Sequence, residues 1–220
     1  TVITGSTALA ATPADTDEFL ISDAGTIKRI DYSHIKTTAG LVQTGRTVTT
    51  SAVNDVQLDD IFSSTYNNYI LLLRHFLPVT DEVDLMMRLN MSGTQSAASK
   101  YCYMNEFLDN GGGSQGSFSG DDNTEFEMAH DVDNDVFKGG ASFMLHIQTE
   151  LGDTSACTFS ANGTGSFVAD SGIQYSSHFG GSFKDSSTPA ATGVDIFFNS
   201  GNIASGEIIC YGFKTTWVKY

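Results

Sequence analysis

Cysteine is scarce in this chain, and its pattern excludes two kinds of small scaffold. Cys102, Cys157 and Cys210 lie far apart, no two of them form a C-x-x-C pair, and no histidine lies at zinc-ligand spacing from them. A disulfide-stapled secreted domain and a structural zinc site are therefore excluded. We expect each cysteine to be a small buried side chain of a protein made in a reducing cytoplasm.

Long apolar runs and proline are scarce as well. No stretch approaches the ~20 apolar residues of a transmembrane helix, and the first residues lack the charged start and apolar centre of a secretory signal. The 22 glycines stand against three prolines and one tryptophan, a composition that favours short strands and tight turns over helices. We therefore expect an all-β protein without membrane insertion.

Positive charge is the third scarcity. Eleven lysines and arginines stand against 26 acidic residues, for a net charge of -15. No basic patch can then drive counterion release from DNA or RNA, so nucleic acid is excluded as a partner. The first 46 residues carry five acids and four bases, and the rest carry 21 acids and seven bases. This asymmetry predicts two regions with different roles.

Two strands dominate the second region, for which we predict a domain over residues 47–220. Residues 69–73 are almost wholly apolar, and residues 83–91 alternate apolar and polar side chains, which is typical of a buried and of a half-buried strand. A bend over residues 75–82 carries Pro78, which is unsuited to a central strand. The two strands are expected to begin an antiparallel sheet as neighbours.

Further short strands fill the rest of this domain. Glycine-rich turns separate them, at Gly152-Asp153, Asn162-Gly163 and Gly180-Gly181 among others. Regular short strands separated by such turns predict an antiparallel β-sandwich of jelly-roll type. The strands are expected over residues 100–107, 141–149, 156–161, 172–179, 193–198 and 206–214.

The first region, residues 1–46, predicts an extended arm over residues 1–13, a β-hairpin and a linker. The hairpin strands are residues 18–22 and 26–30 around Asp23-Ala24-Gly25, followed by one helical turn over residues 32–36 and a linker over residues 37–50. A lone hairpin buries too little to fold by itself. We therefore expect copies of the chain, or a docking partner, to cover its apolar side chains, which are Phe19, Leu20, Ile21, Ile27, Ile30 and Tyr32.

Two segments resemble appendage proteins of tailed bacteriophages. ADTDEFLISDAGTIKRI (residues 14–30) is similar to a segment that reads D-x-D-x-F-L-(I/V)-S-D-x-G-x-(L/I)-K-R-(I/V) in tail-fibre proteins. FSSTYNNYI (residues 62–70), the strand with Arg88 and the closing Tyr211-Gly212-Phe213 are similar to the C-terminal β-domain of such proteins. The resemblance implies a homotrimer made in the host cytoplasm and mounted on the virion, with its N-terminal part near the particle.

Three closely spaced aspartates are candidate metal ligands, but their sequence context does not fit the helical calcium loop. Asp131, Asp133 and Asp135 recur at every second position, whereas the sixth and twelfth positions hold Val136 and Ser142 instead of Gly and Glu. A looser cation site with nearby acids stays open beside a solvated acidic loop. We expect neither a metal nor a cofactor.

The sequence contains no recognisable catalytic motif. The chain has no G-x-S-x-G motif, no motif around a cysteine and no internal repeat of the kind found in polysaccharide-cleaving tailspikes. A pair of glycosidase carboxylates cannot be recognised from spacing alone. We therefore expect a protein that is not an enzyme.

Receptor contact is expected in a glycine- and serine-rich loop over residues 110–123. Loops on a rigid scaffold can vary without unfolding it, and the candidate contacts are Asn110, Ser114, Gln115, Phe118, Asp121 and Asn123. An aromatic sugar-stacking surface is the alternative, although aromatics at strand spacing are mostly core. Its members are Tyr101, Tyr103, Phe107, Phe118 and Tyr175.

The sequence thus predicts a short trimeric tail fibre that binds a host-surface glycan or protein. Its partners are copies of itself and other virion proteins of the tail or capsid. A capsid decoration or head-fibre protein without a receptor role is one alternative. A lectin-like carbohydrate-binding module is the other.

Overall fold

A short hairpin forms the first of two compact units, Thr1–Gly40 and Leu41–Tyr220. Strand β1 (Glu18–Asp23) pairs with β2 (Thr26–Asp31), and the helical turn α1 (Tyr32–Ile35) follows. Ala24 and Gly25 between the strands have φ of 50° and 83°, as a two-residue turn with two left-handed positions requires. The predicted hairpin and helical turn are confirmed. The structure, a computed structural model, describes residues 13–35, 40–91, 93–110, 112–149, 159–169, 172–184 and 191–213.

The described residues of the second unit form twelve antiparallel strands, which confirms the all-β prediction. They belong to one sheet, in which β3, β14, β5, β10 and β11 are successive neighbours. From β11 the pairing continues to β12, β7 and β8, and a single pair, Ala169 with Val132, links β11 to the run β9-β6-β13-β4. The strands are β3 (Val42–Thr49), β4 (Asp55–Leu58), β5 (Asn68–Pro78), β6 (Val83–Asn90), β7 (Tyr101–Asp109), β8 (Gln115–Asn123), β9 (Phe126–Val132), β10 (Ala141–Thr149), β11 (Phe159–Ala169), β12 (Ile173–Phe183), β13 (Gly193–Phe198) and β14 (Ile203–Phe213).

The two dominant strands do not pair with each other, so that prediction is wrong. Strand β5 lies between β14 and β10, whereas β6 lies between β13 and β9. Strand β5 also runs through the first half of the predicted bend, to Pro78. His75 has φ of 48° and lies where the register with β10 shifts, as in a bulge. Pro78 is the last strand residue, where its missing N–H is tolerated.

The predicted linker is wrong over residues 42–49, which form β3 along β14. Gly45 faces the core there, because a Cβ at this position would lie 2.5 Å from Cγ2 of Ile61. Thr49 is buried, and its hydroxyl donates a hydrogen bond to the carbonyl of Ser51 at 2.9 Å. The glycine and threonines that suggest a flexible segment therefore serve close packing at the sheet edge.

The core is aromatic, and the rings of the alternative sugar-stacking surface pack in it or against it. Tyr101 is fully buried between Phe126 and Phe183, with ring centroids 4.7 Å away in both cases. Its hydroxyl accepts from the Leu89 amide at 3.0 Å and donates to the Ser96 carbonyl at 2.7 Å. Burial raises the pKa of Tyr101 to about 12. The other proposed stacking residues are buried or half-buried, namely Tyr103, Phe107, Phe118 and Tyr175.

Of the two described cysteines, Cys210 is buried as expected, whereas Cys102 is not fully buried. Cys210 is fully buried, which raises the pKa of its thiol to about 11. Cys102 is half-buried on β7 and carries no disulfide. Cys157, the arm over residues 1–12 and the turn at Gly152-Asp153 lie outside the described residues. In the described part of the chain, no helix has the length and apolar character to cross a bilayer.

Candidate functional site

The predicted contact loop is for the most part a strand. Residues Gln115–Asn123 form β8, which pairs with β7. The glycines that suggest a loop make room for rings: a Cβ at Gly116 would lie 2.4 Å from the Phe107 ring, and one at Gly120 would lie 2.6 Å from the Tyr103 ring. Alternate positions of β8 thus lie over the aromatic core, and the positions between them face solvent.

The turn between β7 and β8 is held by Asp109. Its Oδ1 accepts hydrogen bonds from the amides of Gly112, Gly113 and Ser114 at 2.9, 3.1 and 3.3 Å. Asn110 pairs with Gln174 of β12 through its side-chain amide, which donates to Oε1 at 3.3 Å, and its Oδ1 accepts from the Gln174 amide at 3.1 Å. This hairpin end is therefore ordered by its own polar groups.

The six predicted contact residues divide between the two faces of the hairpin. Phe118 packs between Phe107 and His130, with ring centroids 6.0 and 5.9 Å away, and Asn123 donates to the Tyr103 hydroxyl at 3.2 Å. These two side chains therefore lie on the side of the core. Solvent-exposed positions are held by Asn110, Ser114, Gln115 and Asp121.

A groove crosses the exposed face of β8, β7 and β12. Glu106 on β7 lies opposite His178 on β12 and Ser117 on β8, and Leu108 lies opposite Ser176 and Gln115. All six of these residues are exposed. They line an open groove of about 510 Å³ together with Phe107 and Gly116. We call it the β7–β8–β12 groove.

The chemistry of this groove suits a polar ligand. A carboxylate, an imidazole, hydroxyls and an amide surround the apolar side chain of Leu108, so donors and acceptors are close to a small apolar contact. Of its residues, Gln115 was among the predicted loop contacts and Phe107 among the alternative aromatic candidates. Glu106 and His178 lie on strands 72 positions apart, and only the sheet register brings them together.

Asp121 is not a free contact residue. Its Oδ1 accepts from the Cys102 thiol and from the Lys184 ammonium, both at 2.5 Å. These two contacts lower the pKa of the Asp121 carboxyl. Asp122 lies 4.0 Å from the same ammonium. The cluster of Cys102, Asp121 and Asp122 is thus partly neutralised by a lysine.

Of the three predicted metal candidates, only Asp131 enters a cluster. Its Oδ2 lies 3.3 Å from Nε2 of His130, whose Nδ1 lies 3.0 Å from Asp84 and 2.9 Å from Glu127. Burial lowers the pKa of His130. The surrounding carboxylates raise the pKa by more than burial lowers it, so the net shift is upward. The Asp84 carboxylate already accepts from the Asp131 amide and from the Asn199 side chain.

Asp133 and Asp135 organise their own turn instead. The Asp133 side chain accepts from the Asp135 amide at 2.7 Å, and the Asp135 side chain accepts from the Phe137 amide at 2.8 Å. Such local bonds are the usual role of aspartate in turns. These two carboxylates are therefore explained without an ion.

Asp195 on β13 is the least expected polar residue of the unit. It is fully buried, and neither of its carboxylate oxygens has a hydrogen-bond partner. Arg88 lies opposite on β6, but its guanidinium donates to Glu125 at 2.8 and 3.2 Å and covers the Phe197 ring at 4.7 Å. Burial, and secondarily repulsion from Asp55, raises the pKa of Asp195 to about 7.

Comparison of the chain with family models, with curated proteins and with solved structures gives no match in any of the three.

Proposed function

We propose that the chain is a subunit of a virion appendage of a tailed phage, a short homotrimeric tail fibre that binds the host-cell surface. One observation carries this proposal: the segment that resembles tail-fibre proteins forms a hairpin with exposed apolar side chains. Leu20 is 76% and Ile27 67% exposed, and Phe19 and Ile21 are exposed by more than a third. An element of this size needs burial by copies or by a particle. Virion attachment through these residues, with Ile30 and Tyr32, supplies that burial.

We further propose that the second unit is a jelly-roll sandwich with two inserted hairpins. Its sheets would be β3-β14-β5-β10 and β4-β13-β6-β9, two runs of neighbours in the observed pairing. Along the chain, β3, β5, β10 and β14 belong to the first run and β4, β6, β9 and β13 to the second. This alternation matches two Greek keys folded together. The hairpins β7–β8 and β11–β12 extend the first run.

Receptor binding is proposed at the β7–β8–β12 groove, for a glycan or a polar protein segment. The groove lies on the two inserted hairpins, away from the eight strands of the sandwich, so its exposed residues can change at little cost to the core. Weak binding at each groove becomes useful when three copies engage together. We propose binding without catalysis, cofactor or metal.

The groove proposal predicts a loss of cell binding on a small change. Replacing Glu106 by alanine together with Gln115 by alanine should lower binding of the fluorescently labelled chain to host cells at least tenfold, because two polar contacts are lost from each copy. Gln57→Ala is the matched control, since Gln57 is an exposed strand residue of β4 and should bind as wild type. Unchanged binding by the double variant would place receptor contact elsewhere.

Particle labelling tests the appendage proposal itself. A gold-labelled antibody against the purified chain should decorate the tail end of intact phage particles in electron micrographs. Label distributed over the capsid would instead establish the decoration or head-fibre alternative. Particles that carry no label, with the chain recovered from cell surfaces, would favour the lectin-like module.

A further inference from the structure

The outer face of β3, β14, β5 and β10 is unusually apolar. On β5, Tyr69, Leu71 and Leu73 are buried in the core, so Ile70 and Leu72 between them point to the other side. A solvent-facing side of an antiparallel sheet is normally polar. The apolar residues at these outward positions therefore require an explanation.

The strand register gathers these residues into one patch. Leu72 lies between Met144 on β10 and Ile209 on β14, and Ile70 lies between His146 and Tyr211 on the same two strands. Phe213 stacks on the His146 ring, with centroids 6.0 Å apart. We call this patch the apolar face; its members are Ile70, Leu72, Met144, Ile209, Tyr211 and Phe213.

The four strands are open to solvent on the two flanking strands. Met144 on β10 is 54% exposed and Val48 on β3 is 50% exposed, whereas Ile209 on β14 between them is only 7% exposed. Four strands about 4.8 Å apart and seven residues along β14 span roughly 14 by 20 Å. The largest apolar patch on a typical monomer is about 300–600 Å² and is often functional, and a sheet area of about 300 Å² suits the centre of an interface of about 800 Å² per partner.

The charges on the four strands indicate what can approach. Arg46, Arg74 and Glu207 are their only Asp, Glu, Lys or Arg residues. Glu207 is held by Arg46 at 2.7 Å and by Arg74 at 2.6 Å, and these contacts, that of Arg46 first, lower the pKa of its carboxyl. This face thus carries one excess positive charge on a chain of net charge -15.

We propose that a second copy of the chain binds at the apolar face. Two strongly acidic copies repel each other wherever both present acidic surfaces. The apolar face is instead a surface that is apolar and slightly basic. An acidic surface is complementary to this face, and a second copy of the chain, with its net charge of -15, presents acidic surfaces elsewhere on the molecule. The inference adds to the proposed homotrimer a location for its subunit contact, and it rests on that proposal only for the number of copies.

A pair of methionines gives a matched test. Met144 on the apolar face and Met104 on β7, outside it, are 54% and 52% exposed, so glutamate at either position should leave the fold intact. Met144→Glu should weaken self-association of the full chain at least tenfold in sedimentation equilibrium, because a carboxylate would be buried in the contact. Tyr211→Glu, on a different strand of the same face, should do the same, and Met104→Glu should stay within threefold of wild type.

The possible results separate clearly. Circular dichroism must first show wild-type secondary structure for Met144→Glu and Met104→Glu, whereas the melting temperature of Met144→Glu is expected to fall with the lost association. Equal association of Met144→Glu and wild type, equal weakening by Met104→Glu, or a wild-type chain that stays monomeric would each overturn the proposal. Failure of antibody labelling on particles, with the Met144→Glu result intact, would reject the appendage function and leave this contact standing.

Discussion

Replacing Asp195 by asparagine is expected to raise the free energy of unfolding by about 3–4 kcal/mol at pH 8 and by about half as much at pH 5. The pKa of this carboxyl is raised from 3.8 to about 7 in the folded chain. Ionisation is thus harder in the folded than in the unfolded state. The stability associated with this group is full below pH 3.8, is lost as the pH rises towards 7, and stays lost above it.

Urea unfolding of both chains at several pH values measures this effect. Asp122→Asn is the control, because Asp122 is exposed and its ion pair with Lys184 lies at the surface, so its removal should change stability by less than about 1 kcal/mol. A wild-type chain whose stability relative to Asp195→Asn does not depend on pH would contradict the prediction. It would mean that the pKa of the Asp195 carboxyl is the same in the folded and the unfolded chain.

Removing β3 is expected to be the most destabilising truncation. A chain that starts at Gly40 keeps all twelve strands of the second unit and should melt within about 3 °C of the full chain. A chain that starts at Thr50 should melt lower by roughly 10 °C or more, since a loss of about 3–4 kcal/mol shifts a domain of this size by that much. It loses the β14 pairing, the Gly45 contact with Ile61 and the Arg46–Glu207 ion pair.

Calorimetry of the three chains checks this, with light scattering to detect the association expected of an exposed β14 edge. Gly45→Val in the full chain tests the same packing without a truncation and should cost about 1–3 kcal/mol. Equal melting of the chains that start at Gly40 and at Thr50 would show that β3 contributes nothing to the fold.

Alternation and turn residues were sufficient to predict the local structure of several elements. The hairpin β1–β2 follows from two β-rich runs around Ala24-Gly25, and β6, β10 and β13 lie close to the predicted residues. These elements are defined by contacts near in sequence or by strict periodicity, which a sequence displays directly.

Two glycines that were predicted to lie in turns lie inside strands, where they serve packing. The predicted turn at Asn162-Gly163 lies inside β11, where a Cβ at Gly163 would lie 2.0 Å from the Met144 carbonyl oxygen. Gly181, also expected in a turn, lies inside β12, and a Cβ there would be 2.8 Å from the Phe179 ring. In both cases glycine permits close approach of a neighbour, which depends on residues distant in sequence.

Strand pairing and the candidate site were beyond sequence reasoning for the same reason. Nothing local shows that β5 pairs with β14, more than 100 residues later, or that Glu106 faces His178. The outward apolar residues of β5 and β14 were visible in the sequence but indistinguishable from core. Only the register shows that Ile70 and Leu72 share a face with Met144 and Tyr211.

The native mass of the full chain, measured by sedimentation equilibrium over a wide concentration range, tests self-association most directly. We expect a species of three times the chain mass of 23.5 kDa, in which the hairpin and the apolar face are covered by neighbouring copies. A single species of 23.5 kDa at concentrations of about 100 μM would contradict it, since contacts of micromolar affinity would be saturated there.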